Sequence, residues 1–214
     1  MRLKIAVTGP SGFIGRYVIR ELIGRGHDIV LISRSGKGIE EFKGKSKTEV
    51  KIFDIQTALP SFEDIGLPDA LLHLAWGGLP NYFSLHHYET ELPSHYRFIK
   101  NLIDTGLKKL VSVGTCFEYG MKSGELSEDE DTNPHTTYGL GKDMLRRQIE
   151  FLKLEHNFEF SWARLFYIWG AGQSSTSLFQ QVMEAIDSDT EKFDMSKGDQ
   201  TRDYLPVEEV ASYL

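Results

Sequence analysis

The turn Thr8-Gly9-Pro10-Ser11-Gly12-Phe13-Ile14-Gly15 joins a short apolar run, residues 3–8, to an amphipathic pattern that places Ile14, Val18, Leu22 and Ile23 on one side. An apolar run that ends in a glycine turn and continues at a 3.6-residue period is a strand–turn–helix unit. Glycines at 9, 12 and 15 permit the tight turn, let backbone come close to a bound anion, and let helix and strand pack closely. The first turn of the helix adds N–H groups without intrahelical partners, so the same unit can hold a phosphate.

The unit recurs without its glycines. Apolar runs at residues 28–33, 50–53, 70–74, 110–113 and 160–166 alternate with helical patterns at 88–105 and 138–155. Strands separated by helices predict an α/β chain with a mostly parallel, doubly wound sheet covered on both faces. The last part differs: residues 176–186 read as helix, 192–195 and 199–205 as extended, and Pro206 opens a final helix. We expect a dinucleotide-binding domain over residues 1–170, with 171–214 part of a small, possibly truncated lobe interleaved with the sheet.

Composition narrows the partners. With 24 basic and 31 acidic residues, a net charge of -7 argues against nucleic acid or an anionic membrane surface. The single cysteine, Cys116, excludes an internal disulfide and, together with the lack of a readable leader or an apolar run of about 18 residues, points to the cytoplasm. A metal at His86-His87 is not expected, because adjacent side chains diverge on helix and strand alike.

Gly38, Gly44, Lys45 and Ser46 nearly spell a nucleotide-triphosphate loop, but the glycine spacing is one residue too long and no apolar strand runs into it. The second strand ends instead in Ser33-Arg34. An acid at that place suits the ribose hydroxyls of NAD, whereas an arginine can pair with a 2′-phosphate, so NADP is favoured over NAD. Asp54, after the third strand, can reach an adenine edge or cap its own turn.

Further along, Tyr138 and Lys142 stand four apart in a helical pattern and share a face, so an ammonium can lie beside a phenol. With the glycine turn, Asp54, His73-Leu74-Ala75-Trp76, Tyr138 to Lys142 and Arg202-Asp203-Tyr204 in order, the chain resembles the extended short-chain dehydrogenases/reductases of the nucleotide-sugar NAD(P)-dependent epimerase/dehydratase family. The resemblance covers essentially the whole chain and implies a Rossmann-type domain with a smaller substrate lobe. It implies that the dinucleotide is held by Gly9, Ser11, Gly12, Phe13, Ile14, Gly15, Ser33, Arg34, Asp54, Ile55, Leu74, Ala75, Trp76, Tyr138 and Lys142. Thr115, four residues before Tyr119-Gly120, then hydrogen-bonds the sugar oxygen, Tyr138 transfers the proton, and Lys142 holds the nicotinamide ribose and lowers the tyrosine pKa. A threonine at a strand end can also simply cap the next turn.

The resemblance also implies a nucleoside-diphosphate sugar as substrate, met by Trp76, Tyr82, Thr115, Cys116, Tyr167 and Arg202. Relatives that remove water across a 4,6 pair carry an Asp-Glu dyad after the serine or threonine. Here Cys116 and Phe117 occupy those positions, which disfavours a 4,6-dehydratase; Arg34 then tips the choice toward a C4 ketoreductase of a 4-keto-6-deoxy sugar, with a C4 epimerase or a non-catalytic dinucleotide-binding regulator as alternatives. Cys116 reads as a small buried residue rather than an acid. Glu91 and Tyr167 stand where asparagine is common in the family, and both departures bear against the ordinary uridine-diphosphate-sugar substrate. Arg202 is the candidate diphosphate contact, or else the partner of a surface carboxylate. The helices at 88–105 and 138–155 are where the family pairs subunits, implying a homodimer.

Overall fold

In the computed structural model, residues 1–45, 47–189 and 191–214 are described. Six parallel strands form one sheet: β1 (Lys4–Thr8), β2 (Asp28–Ser33), β3 (Thr48–Ile52), β4 (Ala70–His73), β5 (Lys109–Thr115) and β6 (Glu159–Leu165), in the order β3-β2-β1-β4-β5-β6. Five helices are α1 (Phe13–Gly24), α2 (Leu92–Asp104), α3 (Thr137–Leu152), α4 (Leu178–Asp187) and α5 (Val207–Tyr213). The doubly wound, Rossmann-like α/β class expected from the alternation of apolar runs is therefore the observed one.

Successive side chains of a strand point to opposite faces, and the sheet uses both. Ala6, Val30, Ile32 and Leu71 pack on one side with Phe98, Ile99 and Leu102 of α2 and Leu145 and Ile149 of α3. Their neighbours Val7, Ile29, Leu31 and Leu72 pack on the other with Val18 and Ile19 of α1 and Ala211 of α5. Strand order reverses between β1 and β4, and such a switch point leaves a crevice beyond the carboxyl ends of the strands.

Several boundaries depart from the periodicity. The helix expected from residue 88 begins as a π-helical turn, His87–Glu91, and becomes regular only at Leu92, next to Pro93. Strand β5 is longer than its apolar run and ends at Thr115. Residues 192–195 form no strand. Of the extended stretch 199–205, only Tyr204 and Leu205 fall in β8 (Tyr204–Pro206), which pairs with β7 (Tyr167–Trp169) in a separate two-stranded sheet. The glycine- and lysine-rich connection after β2 carries a 3-10 turn, Glu40–Phe42, whose Phe42 is buried against α1; Ser46 lies outside the described residues.

Candidate active site

The glycine turn brings β1 and β4 together. Gly9 has a φ of +69°, and a Cβ there would lie 3.0 Å from the Ala75 nitrogen. A Cβ at Gly15 would lie 2.2 Å from the Gly9 carbonyl oxygen, so α1 can start where it does only with glycine at that position. Gly12, the N-cap of α1, offers no side-chain acceptor, which leaves the first amides of the helix without a side-chain cap. A bare helix start beside two closely approaching strand ends fits a pyrophosphate, and Gly9, Ser11, Gly12 and the amides of Phe13, Ile14 and Gly15 would hold it. The Phe13 and Ile14 side chains turn away, Phe13 onto Tyr17 with ring centroids 5.9 Å apart and Ile14 into the core.

A cleft of about 330 Å³ continues from this turn and is lined by Ser33, Arg34, Asp54, Ile55, Leu74, Ala75 and Trp76 as well as by Gly9, Ser11 and Gly12. Ser33 is buried, its hydroxyl accepting from the Gly36 amide at 3.0 Å. Arg34 is exposed at the rim, with no hydrogen bond or ion pair among the described residues. Asp54 caps its own turn, Oδ1 accepting from the Gln56 amide at 3.0 Å, while still facing the cleft.

Beyond the cleft stand Thr115, Tyr138 and Lys142. Thr136 N-caps α3, its hydroxyl accepting from the Gly139 amide at 3.0 Å, and so fixes Tyr138 in the first turn of the helix. Two glycines let this helix lie flush on its neighbours: a Cβ at Gly139 would be 2.6 Å from the Phe117 carbonyl oxygen, and one at Gly141 2.9 Å from that of His87. Thr115 caps the 3-10 turn that follows β5, accepting from the Phe117 amide at 3.3 Å, and its side chain lies near enough to Tyr138 to act on the phenol. The capping role and the proximity to Tyr138 thus coexist.

Lys142 is 1% exposed. Its ammonium donates to the Val113 carbonyl at 3.0 Å and sits 4.3 Å from the centroid of the Trp76 ring. Burial pulls it down to about 8, against the raising influence of Glu118 and Glu91. Burial raises the Tyr138 phenol above its ordinary value, more than the neighbouring Thr115 lowers it. The expected lowering of the phenol by Lys142 is not found among the side chains, because the ammonium is directed at Val113 and Trp76. Trp76 joins the two residues instead, its ring edge-on to Tyr138 with centroids 6.3 Å apart.

Among the residues expected at the substrate, Tyr82 stacks on Phe117 at 4.9 Å and lies 5.8 Å from Tyr138. Cys116 is half-buried, and burial raises its thiol. The Arg202 guanidinium lies 4.3 Å over the Tyr167 ring and acts electrostatically on Cys116, so these three are drawn together. Arg202 hydrogen-bonds Gln200 and makes no ion pair among the described residues.

Two carboxylates were more important to the site than their sequence positions suggested. Glu118 is fully buried, accepting from the Thr115 amide at 2.8 Å, from Trp162 Nε1 at 3.1 Å and from Arg164 Nε at 2.8 Å. Burial nonetheless lifts its carboxyl above the usual range. Glu91 lines the same cleft and is hydrogen-bonded to His95 four residues on. That i,i+4 spacing was a readable signal for Glu91 and His95. Nothing local announced Arg164 or Trp162, which reach Glu118 across the β5–β6 pair. Among the described residues, no group of His, Cys, Asp or Glu could hold a metal ion.

Fold and cleft together define a Rossmann-like α/β protein with its crevice at the strand-order switch. The chain belongs to the NAD dependent epimerase/dehydratase family, whose model matches residues 5–214. It is 29% identical over 213 residues to a dTDP-6-deoxy-L-talose 4-dehydrogenase (NAD(+)) of Aggregatibacter actinomycetemcomitans, covering 98% of this chain and 77% of that protein. It is 22% identical to a UDP-glucose 4-epimerase of Lactobacillus helveticus, covering 97% and 69%. Among solved structures, a UDP-N-acetylglucosamine 4-epimerase from Methanobrevibacter ruminantium M1 superposes with a TM-score of 0.85 at 20% identity, covering 99% of this chain and 71% of that one. A UDP-glucuronic acid 4-epimerase from Bacillus cereus, solved with UDP-glucuronic acid and NAD, gives 0.82 at 21% identity, covering 97% and 70%.

Proposed function

We propose that this chain is an NAD(P)-dependent oxidoreductase that reduces C4 of a nucleoside-diphosphate 4-keto-6-deoxy sugar. The observation that carries the reading is the gathering of Thr115, Tyr138 and Lys142 at the carboxyl end of β5, beside a cleft headed by an uncapped helix start. The name of the dTDP-6-deoxy-L-talose 4-dehydrogenase relative supports chemistry at C4. When bound, a reduced nicotinamide supplies the hydride. Thr115 orients the sugar oxygen by a hydrogen bond, and Tyr138 donates the proton that this oxygen takes up as the carbonyl becomes an alcohol. Lys142, whose ammonium rests on the Val113 carbonyl and over the Trp76 ring, would hold the nicotinamide ribose one helical turn from the phenolate left behind.

The free guanidinium of Arg34 supports NADP(H), since a 2′-phosphate would give it a partner. Residues 171–214 belong, in this reading, to the substrate lobe, with Tyr82, Trp76, Cys116, Tyr167 and Arg202 around the sugar diphosphate. Exposed Leu140 and Phe151 on α3 support a homodimer through α2 and α3. A second reading, a C4 epimerase that retains its cofactor, is supported by the similarity to the Lactobacillus helveticus enzyme and would use the same three residues.

The test is to supply purified protein with NADPH or NADH and a panel of dTDP-, GDP- and UDP-linked 4-keto-6-deoxy sugars, following cofactor oxidation and the product by NMR. Stoichiometric oxidation with a C4 alcohol as product supports the reductase. Interconversion of C4 epimers without added cofactor supports the epimerase, and neither activity refutes both.

A further inference from the structure

We propose that Glu91 is a positioning residue: its carboxylate fastens the loop between Trp76 and His87, which forms one wall of the site, to the floor of the cofactor cleft. Four donors from three segments converge on it. Oε1 accepts from Gln56 Nε2 at 2.7 Å and from His86 Nε2 at 2.9 Å. Oε2 accepts from the Gly77 amide at 2.6 Å and from His95 Nε2 at 2.9 Å. Gln56 follows β3, Gly77 and His86 lie at the two ends of the loop that follows β4, and His95 lies on α2, so one side chain ties both ends of the loop to the carboxyl end of β3 and to the helix.

The direction of each proton follows from the far end of the chain. The Thr8 hydroxyl oxygen accepts from the Leu74 and Ala75 amides at 3.1 and 3.2 Å, which uses both lone pairs, so its own hydrogen points to His73 Nδ1 at 3.0 Å. His73 then carries its proton on Nε2 and donates to His95 Nδ1 at 2.7 Å. His95 in turn carries its proton on Nε2 and donates to Glu91. Both imidazoles are neutral in this arrangement, as their burial also favours. Every group facing Glu91 is therefore a donor. A carboxylate satisfies all of them, whereas a carboxamide has one accepting oxygen and would turn an NH₂ group toward two donors. An asparagine or glutamine cannot do the same work here.

The loop that Glu91 fastens covers the start of α3. The Tyr82 carbonyl accepts from the Tyr138 amide at 3.1 Å, and the Thr137 hydroxyl donates to the Tyr82 and Ser84 carbonyls at 3.0 and 2.8 Å. Releasing the loop thus loosens both Tyr82 and the backbone beside Tyr138.

Three measurements decide the matter, and only the last depends on the proposed reaction. Nitrogen-15 NMR of the wild-type protein at neutral pH should show His73 and His95 neutral with the proton on Nε2; an imidazolium or an Nδ1–H form at His95 overturns the proton order. Hydrogen–deuterium exchange over residues 77–87 should quicken at least about tenfold in Glu91→Gln, and over the His86 end of that loop in His86→Phe, which removes the tie at a half-exposed site while leaving that of Gly77 and serves if Glu91→Gln fails to fold; a loss of one charge-assisted hydrogen bond is of that size. Unchanged exchange in His86→Phe refutes the fastening. In turnover, His86→Phe should raise KM for the nucleotide sugar about tenfold by the same loss while NADPH affinity stays within about twofold. An equal loss of affinity for sugar and NADPH overturns the loop assignment, whereas absence of turnover in the wild type refutes the proposed function and leaves the first two measurements decisive.

Discussion

Tyr138 and Lys142 share a helix face, and burial treats them in opposite ways. It raises the phenol and lowers the ammonium to about 8, because each shift favours the uncharged form. Replacing Tyr138 by Phe should leave dinucleotide binding intact and reduce turnover roughly 10²–10⁴-fold, the usual range for a positioned proton donor, as read from parallel cofactor titrations and initial rates. For Lys142 the sign is instructive. Its folded value lies below the ordinary 10.5, so between about 8 and 10.5 the unfolded chain holds more protons and Lys142 makes unfolding less favourable as the pH rises. Chemistry that needs the ammonium should fall over the same range, and pH–rate and pH–stability curves measured together should diverge there. Glu91 behaves in the reverse sense. Burial opposes its charge, but hydrogen bonds from His95 and the Gly77 amide bring its carboxyl to about 2, below the ordinary 4.5, so its stabilisation is complete above 4.5 and is lost as the pH falls through about 2. Glu91→Gln should flatten the acid limb of the urea-unfolding stability curve between those values.

At the level of elements, the glycine turn and α1 were legible because strand, turn and helix are contiguous in sequence. The Tyr138 helix was legible for the same reason, down to the shared face with Lys142. The relation of Glu118 to Arg164 and Trp162 was not, since it arises from strand pairing between segments whose partner no local pattern specifies. Removing the arginine should expose that dependence. Arg164→Met leaves the Glu118 carboxylate buried with only the neutral donors of Trp162 and the Thr115 amide, and should destabilise the fold by about 3–5 kcal/mol in chemical denaturation, as breaking a buried ion pair does. The glycine turn makes a separate prediction. Gly15→Ala places a methyl 2.2 Å from the Gly9 carbonyl oxygen, so α1 must move away from β1, and a cost of about 1–3 kcal/mol should accompany weakened NADPH binding in a fluorescence titration.

Over the whole molecule, alternation of apolar runs with helical patterns was sufficient to predict a parallel sheet with two covered faces. It was not sufficient to place the C-terminal part, where short strands and weak periodicity leave pairing to tertiary contacts. That part returns to the body of the protein: α5 packs Ala211 against the α1 side of the sheet, and the Ser212 carbonyl accepts from Arg25 at 2.9 Å. Ala211→Asp, which buries a charge without a partner at that seam, should lower the thermal midpoint of the entire chain rather than melt α5 alone.

The backbone contacts of Gly139 and Gly141 carry a consequence for tolerance to mutation. The distance of α3 from the turn after β5 and from the Trp76–His87 loop is set by main chain touching main chain, not by the size of any packed side chain. Substitutions deeper in α3, at Leu145 or Ile149, would be paid for in folding free energy while the phenol keeps its place, so the robustness of the fold and the precision of the chemistry can drift independently through change.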